Sequence, residues 1–192
     1  PYQRNLNLNG YYQSWKYFDG LDVKDLLKPK IEFKNKILET VNNDCGHTYD
    51  ELFAYKRVTA LHVRRGDYLN FQHVFANLIN TDYYKNAIEK SWDTTDYFLI
   101  FSNDIQFCKE YFKGEKFIFS DPPKEKSQGN SSEAFDLYLM SMCNNFITAN
   151  SSFSWWGSYL GDSLKKKVIM PKEWFVNGLN TIDLYPHNCI LI

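Results

Sequence analysis

The sequence predicts an α/β fold in which a parallel, Rossmann-like sheet is flanked by helices. From residue 57 onward, short apolar runs alternate with amphipathic stretches of helical spacing. Strand and helix signals that alternate at this length are typical of βαβ units and of a parallel sheet covered on both faces. The expected strands lie at 58–63, 97–101, 117–119, 146–149 and 168–170. The expected helices lie at 82–92, 104–112, 131–143 and 152–164.

The amino-terminal part of the chain has a different pattern. It carries a lysine-rich helix candidate at 28–43 and no convincing strand. We therefore predict a boundary near residue 57, with a mainly helical region at 1–57 and the α/β domain at 58–192. The segment 120–132 contains two prolines, a glycine and mixed charges, which predicts a long loop.

Composition excludes some classes of protein. The 192 residues have a net charge of −1, which argues against nucleic-acid binding through bulk charge. Aromatic residues reach 18%, which favours a globular protein with ring-lined clefts. No apolar run approaches transmembrane length. Four scattered cysteines without zinc-like spacing indicate reduced thiols and a cytoplasmic protein, free or peripheral to a membrane.

Arginine usage singles out the end of the first expected strand. Half of the arginines sit in one dipeptide, Arg64-Arg65, although most basic residues are lysine. Strand alternation places His62 and Arg64 on one face and Arg65 on the other. Ligands of open parallel sheets bind beyond the carboxyl ends of the strands, so Arg64 is a candidate anion-binding residue. Arg65 is free to brace the loop through Asp67 or Asp104, and a strand end held only by ion pairs is the alternative.

Two further motifs carry polar side chains. In "FSND", residues 101–104, Asp104 follows a strand and opens a helix, so it is either an N-cap or a partner for an arginine. Asp136 lies in a largely apolar helix, and its carboxylate could accept both donors on one edge of a guanine. Ser151 and Ser152 follow another strand and open a helix, as ordinary N-caps or as a phosphate cradle.

Several common signatures are missing. There is no GxGxxG, no GxxxxGK[ST] and no D-x-D, so the sequence predicts no metal site and no metal cofactor. Arginine and a helix N-terminus would then have to neutralise an anionic leaving group. Asn130 and Asn150 each begin an Asn-Ser-Ser glycosylation match, a pattern that is common by chance.

Four segments together resemble the α-1,2-fucosyltransferases of glycosyltransferase family 11. They are "GYYQSWKYF" (10–18), "HVRRGDY" (62–68), "FSND" (101–104) and "DLYLMSMCNNFITANSSFSWWGSYL" (136–160). The His-x-Arg-Arg-x-Asp motif is shared with α-1,6- and protein O-fucosyltransferases, whereas the long last segment is more specific. Members also carry a "GGLGNQ"-type segment that this sequence lacks. We therefore expect a carboxyl-terminal fragment in which 1–57 is the remnant of an acceptor-side region.

The resemblance implies the nucleotide-binding half of a GT-B-type, inverting, metal-independent transferase. Its donor would be GDP-fucose and its acceptor the 2-hydroxyl of a galactose in a glycan. Arg64 would contact the β-phosphate with His62 nearby, Asp136 would read guanine, and Ser151 or Ser152 would hold phosphate. Asp67 and His73 are candidates for the general base. The alternatives are an inactive nucleotide- or glycan-binding fragment and a transferase of the α-1,6- or O-fucosyltransferase group.

Overall fold

The computed structural model describes residues 14–39, 48–120 and 132–192. Its centre is a parallel sheet of six strands in the order β3-β2-β1-β4-β5-β6. The strands are β1 (Val58–Val63), β2 (Tyr97–Ser102), β3 (Phe117–Phe119), β4 (Asn145–Ile147), β5 (Val168–Met170) and β6 (Cys189–Leu191). The predicted α/β, Rossmann-like class is confirmed.

The described helices lie before and between the strands. They are α1 (Val23–Leu26), α2 (Ile31–Leu38), α3 (Tyr49–Tyr55), α4 (Tyr83–Ser91), α5 (Ile105–Tyr111), α6 (Ser132–Ser141) and α7 (Ser152–Leu160). Short 3₁₀ helices cover Trp15–Phe18, Gly66–Asn70, Leu78–Asn80, Trp92–Thr94 and Ile182–Leu184.

The strand order creates a topological switch point between β1 and β4. From β1 the chain builds the sheet outward through β2 and β3, then returns to the other side of β1 with β4 and continues through β5 and β6. Thr59 pairs with Asn145 and Leu61 with Ile147, so the two central strands end near each other. In doubly wound sheets this crevice is the usual ligand site.

Alternation along β1 divides its side chains between two cores. Val58 and Ala60 pack on the face that α2, α3, α6 and α7 cover, whereas Leu61 and Val63 pack on the face that α4 and α5 cover. All six residues of β1 are buried, as expected for a central parallel strand. Beyond Val63 this alternation leaves Arg64 and Arg65 at the carboxyl edge.

The region before residue 57 shares the core of the sheet. Ile37, Tyr49 and Leu52 are at most 1% exposed and belong to the cluster that contains Val58 and Ala60. The division into 1–57 and 58–192 stays a prediction.

The five predicted strands and the four predicted inter-strand helices are present, with ends that shift by up to four residues. The candidate helix at 28–43 forms at Ile31–Leu38. Most of the predicted loop, 121–131, lies outside the described residues, as do Asn130 and Cys45. Cys108 and Cys143 are buried free thiols. No helix in the described part of the chain combines the length and apolarity that a membrane crossing requires.

Candidate functional site

The polar motifs gather at the carboxyl edge of the central strands. Arg64 and Arg65 follow β1, Asp104 follows β2, and Ser151 and Ser152 stand where the chain leaves β4 and enters α7. Tyr68 donates from its hydroxyl to the backbone carbonyl of Asn150 at 3.2 Å, which ties the loop after β1 to the loop after β4. The segments after β1 and after β4 therefore meet at the switch point.

His62 is a buried histidine one residue before the end of β1. It is 3% exposed, and its ring centroid lies 5.4 Å from that of Phe153 in α7. Burial, with a smaller contribution from the Arg64 charge, lowers the pKa of the imidazole from 6.5 to about 3. His62 is therefore neutral at pH 7. Its Nδ1 is buried without a hydrogen-bond partner, so the site offers a polar atom aimed at no protein group.

Arg64 presents a partly engaged guanidinium at the strand end. Its Nη2 donates to Oδ2 of Asp67 at 2.8 Å, and its Cζ lies 5.3 Å from the centre of the Tyr68 ring. The side chain is 30% exposed, yet Nε is buried and has no partner. Because Nε has no partner among the described residues, Arg64 can bind an anion and still keep its hydrogen bond to Asp67.

Arg65 points away from Arg64 and braces the neighbouring loop. Its Nη1 lies 2.6 Å from Oδ2 of Asp104, and its guanidinium stacks 4.0 Å from the centre of the Phe107 ring. Of the two partners proposed for Arg65, Asp104 is the one it contacts, whereas Asp67 belongs to Arg64. Asp104 also accepts from the backbone N–H of Phe107, so it caps α5 as well. Both predicted roles of Asp104 are present together.

Asn103 fixes the turn that follows the two arginines. Its Oδ1 accepts from the backbone N–H of Arg65 at 3.0 Å, and its Nδ2 donates to Oδ1 of Asp67 at 3.2 Å. A Cβ on Gly66 would lie 2.4 Å from this Nδ2, so only glycine lets the amide keep this position. The "FSND" and "RRGDY" segments alone could not show that they meet, so the bonds of Asn103 and Tyr68 were not predictable from the sequence.

The amino terminus of α7 is a short polar turn. Ser151 is the N-cap residue, is 5% exposed and makes no side-chain capping bond, whereas Ser152 is exposed. Ser154 accepts from the backbone N–H of Ala149 at 3.2 Å and thereby stabilises the turn. Ser151 thus takes the N-cap position that one of the two alternatives expected, but without the side-chain hydrogen bond of an ordinary cap. The first N–H groups of a helix have no partner within the helix, and together with the helix dipole they make such an end suitable for an anion.

Asp136 lies on α6 and is half-buried. Ser120, which is 4% exposed and follows β3, donates from its hydroxyl to Oδ1 of Asp136. The carboxylate is thus held at the carboxyl edge of the sheet, beyond β3.

His73 is exposed on the long loop between β1 and α4, and its ring centroid lies 6.2 Å from that of Phe71. Among the described contacts, none joins His73 to Arg64 or Asp67. Across residues 14–39, 48–120 and 132–192, no three His, Cys, Asp or Glu side chains are grouped so that they could hold a metal ion.

Comparison with known proteins gives one family match and relatives from bacteria. The profile described as "Glycosyl transferase family 11" matches residues 1–177. The chain is 33% identical over 190 residues to "O-antigen biosynthesis glycosyltransferase WbnK" of Escherichia coli, which covers 90% of this chain and 58% of that protein. It is 33% identical over 193 residues to "Alpha-1,2-colitosyltransferase" of Escherichia coli, covering 95% of the chain and 61% of that protein.

A third relative comes from an animal. The chain is 29% identical over 196 residues to "Putative galactoside 2-alpha-L-fucosyltransferase svh-11" of Caenorhabditis elegans, covering 94% of the chain and 51% of that protein. The chain thus spans between half and two thirds of these relatives' lengths. No solved structure matches it.

Proposed function

Because this chain belongs to glycosyl transferase family 11, we propose that it forms the donor-binding half of a GT-B-type α-1,2-fucosyltransferase. The donor is GDP-fucose, and the acceptor is the 2-hydroxyl of a galactose in a glycan. Relatives named as α-1,2-colitosyltransferase and putative galactoside 2-α-L-fucosyltransferase support the linkage and the sugar class.

One observation carries the proposal. At the switch point between β1 and β4, Arg64 holds a buried Nε without a partner, and the loop that bears Arg64 is bonded to the loop that leads into α7. A guanidinium and a helix N-terminus at a switch point form the arrangement that a nucleotide diphosphate requires. We assign the β-phosphate to Arg64 and the second anionic contact to Ser151 and Ser152.

His62 and Asp136 complete the nucleotide site in this proposal. Neutral His62 offers its unpartnered Nδ1 to the nucleotide, because its low pKa keeps the ring uncharged. Asp136 accepts the N1–H and the N2 amine of guanine. Ser120, already bonded to one oxygen of Asp136, orients the carboxylate for that role.

The reaction is a single displacement at the anomeric carbon of the donor sugar. The galactose 2-oxygen forms the new bond, the bond from the anomeric carbon to the β-phosphate oxygen breaks, and the 2-hydroxyl proton passes to a base. Negative charge grows on the departing GDP, where Arg64 and the α7 terminus stabilise it without a metal ion. Removing one such contact costs roughly 10²–10³ in rate, so Arg64→Ala in the whole enzyme should lower turnover by that factor.

The two candidates for the general base, Asp67 and His73, have different surroundings. Asp67 is bonded on Oδ2 by Arg64 and on Oδ1 by Asn103, so each of its oxygens already accepts a hydrogen bond within the loop. This supports a scaffold role for Asp67. His73 is exposed and has no hydrogen bond among the described residues, which favours His73 as the base.

A second candidate donor is a GDP-linked colitose, which the name of one relative suggests. Colitose is fucose without its 3-hydroxyl. A site that bonds this hydroxyl discriminates strongly against the deoxy sugar, whereas an apolar site discriminates weakly.

Calorimetry on this chain tests the nucleotide assignment. With EDTA present, GDP should bind and UDP should bind at least about tenfold more weakly, because UDP lacks the guanine edge. Absence of any nucleotide binding contradicts the proposal. A preference for UDP would contradict the GDP assignment and indicate a UDP-linked donor. Incubation with GDP-fucose or GDP-colitose and a lactose-type acceptor then separates an enzyme from a binding module, since the latter binds GDP and forms no product.

A further inference from the structure

Asn150 joins three loops at the carboxyl edge of the sheet. It is 1% exposed and lies between β4 and the first residue of α7. Its Nδ2 donates to the backbone carbonyl of Ala76 at 2.9 Å and to that of Trp174 at 3.0 Å. Its own carbonyl accepts from Tyr68 at 3.2 Å. The Asn150 amide donates both of its N–H groups to carbonyls of different loops. Replacing it with a side chain that lacks these donors leaves the Ala76 and Trp174 carbonyls without these hydrogen bonds.

The two loops that Asn150 bonds also pair with each other. Phe75 and Phe175 form an isolated antiparallel bridge, and Val176 donates its N–H to the carbonyl of Val74 at 3.0 Å. The N–H of Ala76 points at the carbonyl of Trp174 at 3.4 Å, the same carbonyl that Asn150 bonds. The loop after β1 and the loop after β5 thus form a short ribbon, and the amide of Asn150 closes one end of it.

This ribbon reaches Arg64 through stacked rings. The Phe75 ring lies 4.1 Å from the Tyr68 ring at an interplanar angle of 12°, and Tyr68 in turn lies under the guanidinium of Arg64 at 5.3 Å. Asn150 therefore supports Tyr68, and through it Arg64, in two ways. Its carbonyl accepts a hydrogen bond from the Tyr68 hydroxyl, and its side chain holds the ribbon whose Phe75 ring stacks on Tyr68. Because the next residue is Ser151, any shift of Asn150 also moves the start of α7.

We propose that Asn150 is a positioning residue that holds Arg64 and the amino terminus of α7 at a fixed separation, so that one diphosphate can contact both. The effect of Asn150 on donor binding rests on the proposed function. Its effect on the position of Arg64 can be measured in the protein without ligand. Misplacing a charged contact by about 1 Å can cost as much as removing it. Asn150 also begins an Asn-Ser-Ser match, and its burial assigns the residue to this internal role rather than to glycan attachment.

The first test measures Arg64 without any nucleotide. In NMR spectra of the chain, the Nε–H of Arg64 should be protected from solvent exchange, because Nε is buried. Asn150→Ala and Tyr68→Phe should each accelerate this exchange by on the order of tenfold. Tyr68→Phe keeps the ring under Arg64 and removes only the bond to Asn150, so it provides the test even where Asn150→Ala fails to fold. Thr148→Val is the matched control, since Thr148 is 1% exposed on the same segment and touches neither loop of the ribbon through its side chain.

The second test measures coupling in GDP binding. Asn150→Ala or Tyr68→Phe should weaken GDP binding at least about fivefold in the wild-type background and less than about twofold in an Arg64→Ala background. A residue with a merely structural role would weaken binding equally in both backgrounds, and that result overturns the proposal. Unchanged Arg64 exchange in both variants overturns it as well. If the wild-type chain binds no GDP, the proposed function fails, and the exchange measurement alone decides the role of Asn150.

Discussion

Nη2 of Arg64 and Oδ2 of Asp67 lie 2.8 Å apart where the chain leaves β1 and enters the 3₁₀ helix Gly66–Asn70. This local pair sits beside the long-range pair of Arg65 with Asp104, so the adjacent arginines have separate carboxylate partners. The Arg64 pair is more open, because the Asp67 side chain is 49% exposed whereas that of Asp104 is 29% exposed. A phosphate can therefore compete for Arg64 more readily than for Arg65.

Acid should destabilise the protein through His62. The folded pKa is about 3 and the ordinary value is 6.5, so the unfolded chain binds a proton that the folded chain excludes. The contribution of His62 is fully present above pH 6.5 and is lost as the pH falls toward 3. We expect the free energy of unfolding to fall by roughly 1 kcal/mol per pH unit in this window. Urea titrations at pH 6.5, 5.5 and 4.5 measure the slope.

The matched variant for this slope is His62→Gln, which should flatten it. Asp96, whose pKa Arg57 lowers from 3.8 to about 2, loses its contribution only in stronger acid and does not overlap with the window above pH 4.5. Equal slopes for wild type and His62→Gln would show that His62 is not the group responsible.

Gly66→Ala should disturb the turn that follows the two arginines. The added Cβ would lie 2.4 Å from Nδ2 of Asn103, and the amide, as the end of a flexible side chain, would rotate away. Asn103 would then lose its bonds to Arg65 and Asp67, with a loss of about 1–2 kcal/mol in the free energy of unfolding. Because Asn103→Ala already lacks the amide, adding Gly66→Ala to it should cost little more. Additive losses in the double variant, measured in urea, would refute the steric explanation.

The pair of Arg65 with Asp104 should contribute to stability more than to nucleotide binding. A double-mutant cycle of Arg65→Met and Asp104→Asn should give a coupling of about 1 kcal/mol in urea unfolding. Asn retains the cap on α5, and the stacking of Arg65 on Phe107 is lost in both backgrounds and cancels, so the cycle isolates the ion pair. Single variants should change GDP affinity less than about threefold. A coupling near zero would contradict the bracing role.

Guanine selectivity should depend on Asp136. Asp136→Asn replaces two acceptor oxygens by one acceptor and one donor, which matches xanthine better than guanine. We expect GDP to bind at least about tenfold more weakly and XDP to bind more tightly than it does to wild type. Calorimetry with both nucleotides measures the change, and Ser120→Ala controls for loss of the hydrogen bond alone. If GDP and XDP binding weaken by the same factor, Asp136 does not contact the guanine edge.

The sequence predicted the framework of the fold because strands β1 to β5 are apolar and bounded by helical stretches. It missed β6, since Cys189–Leu191 is a short, partly exposed edge strand without such a boundary. It also missed α3, although Thr48 and Glu51 form a capping box whose spacing is readable in the sequence. That signal could have located the helix.

For the site, alternation along β1 separated Arg64 from Arg65, and the contacts with Asp67 and Asp104 agree with that separation. The assignment of Asp67 to Arg64 depends on the 3₁₀ turn at Gly66–Asn70, which apolar periodicity does not report. Asn103 and Asn150 act through bonds between residues 24 to 82 positions apart, so no local pattern could reveal them.

GDP affinity of Arg64→Ala, compared with Arg57→Ala, tests the central claim most directly. Arg57 stands at the opposite end of β1 and is also paired with a carboxylate, with Nη2 2.9 Å from Oδ1 of Asp96, so it matches Arg64 in charge and in ion pairing. In calorimetry with EDTA, Arg64→Ala should bind GDP at least about tenfold more weakly than wild type, and Arg57→Ala should bind it as wild type does. Arg64→Ala affinity within about threefold of wild type, or an equal loss in both variants, would contradict the assignment of the diphosphate to Arg64.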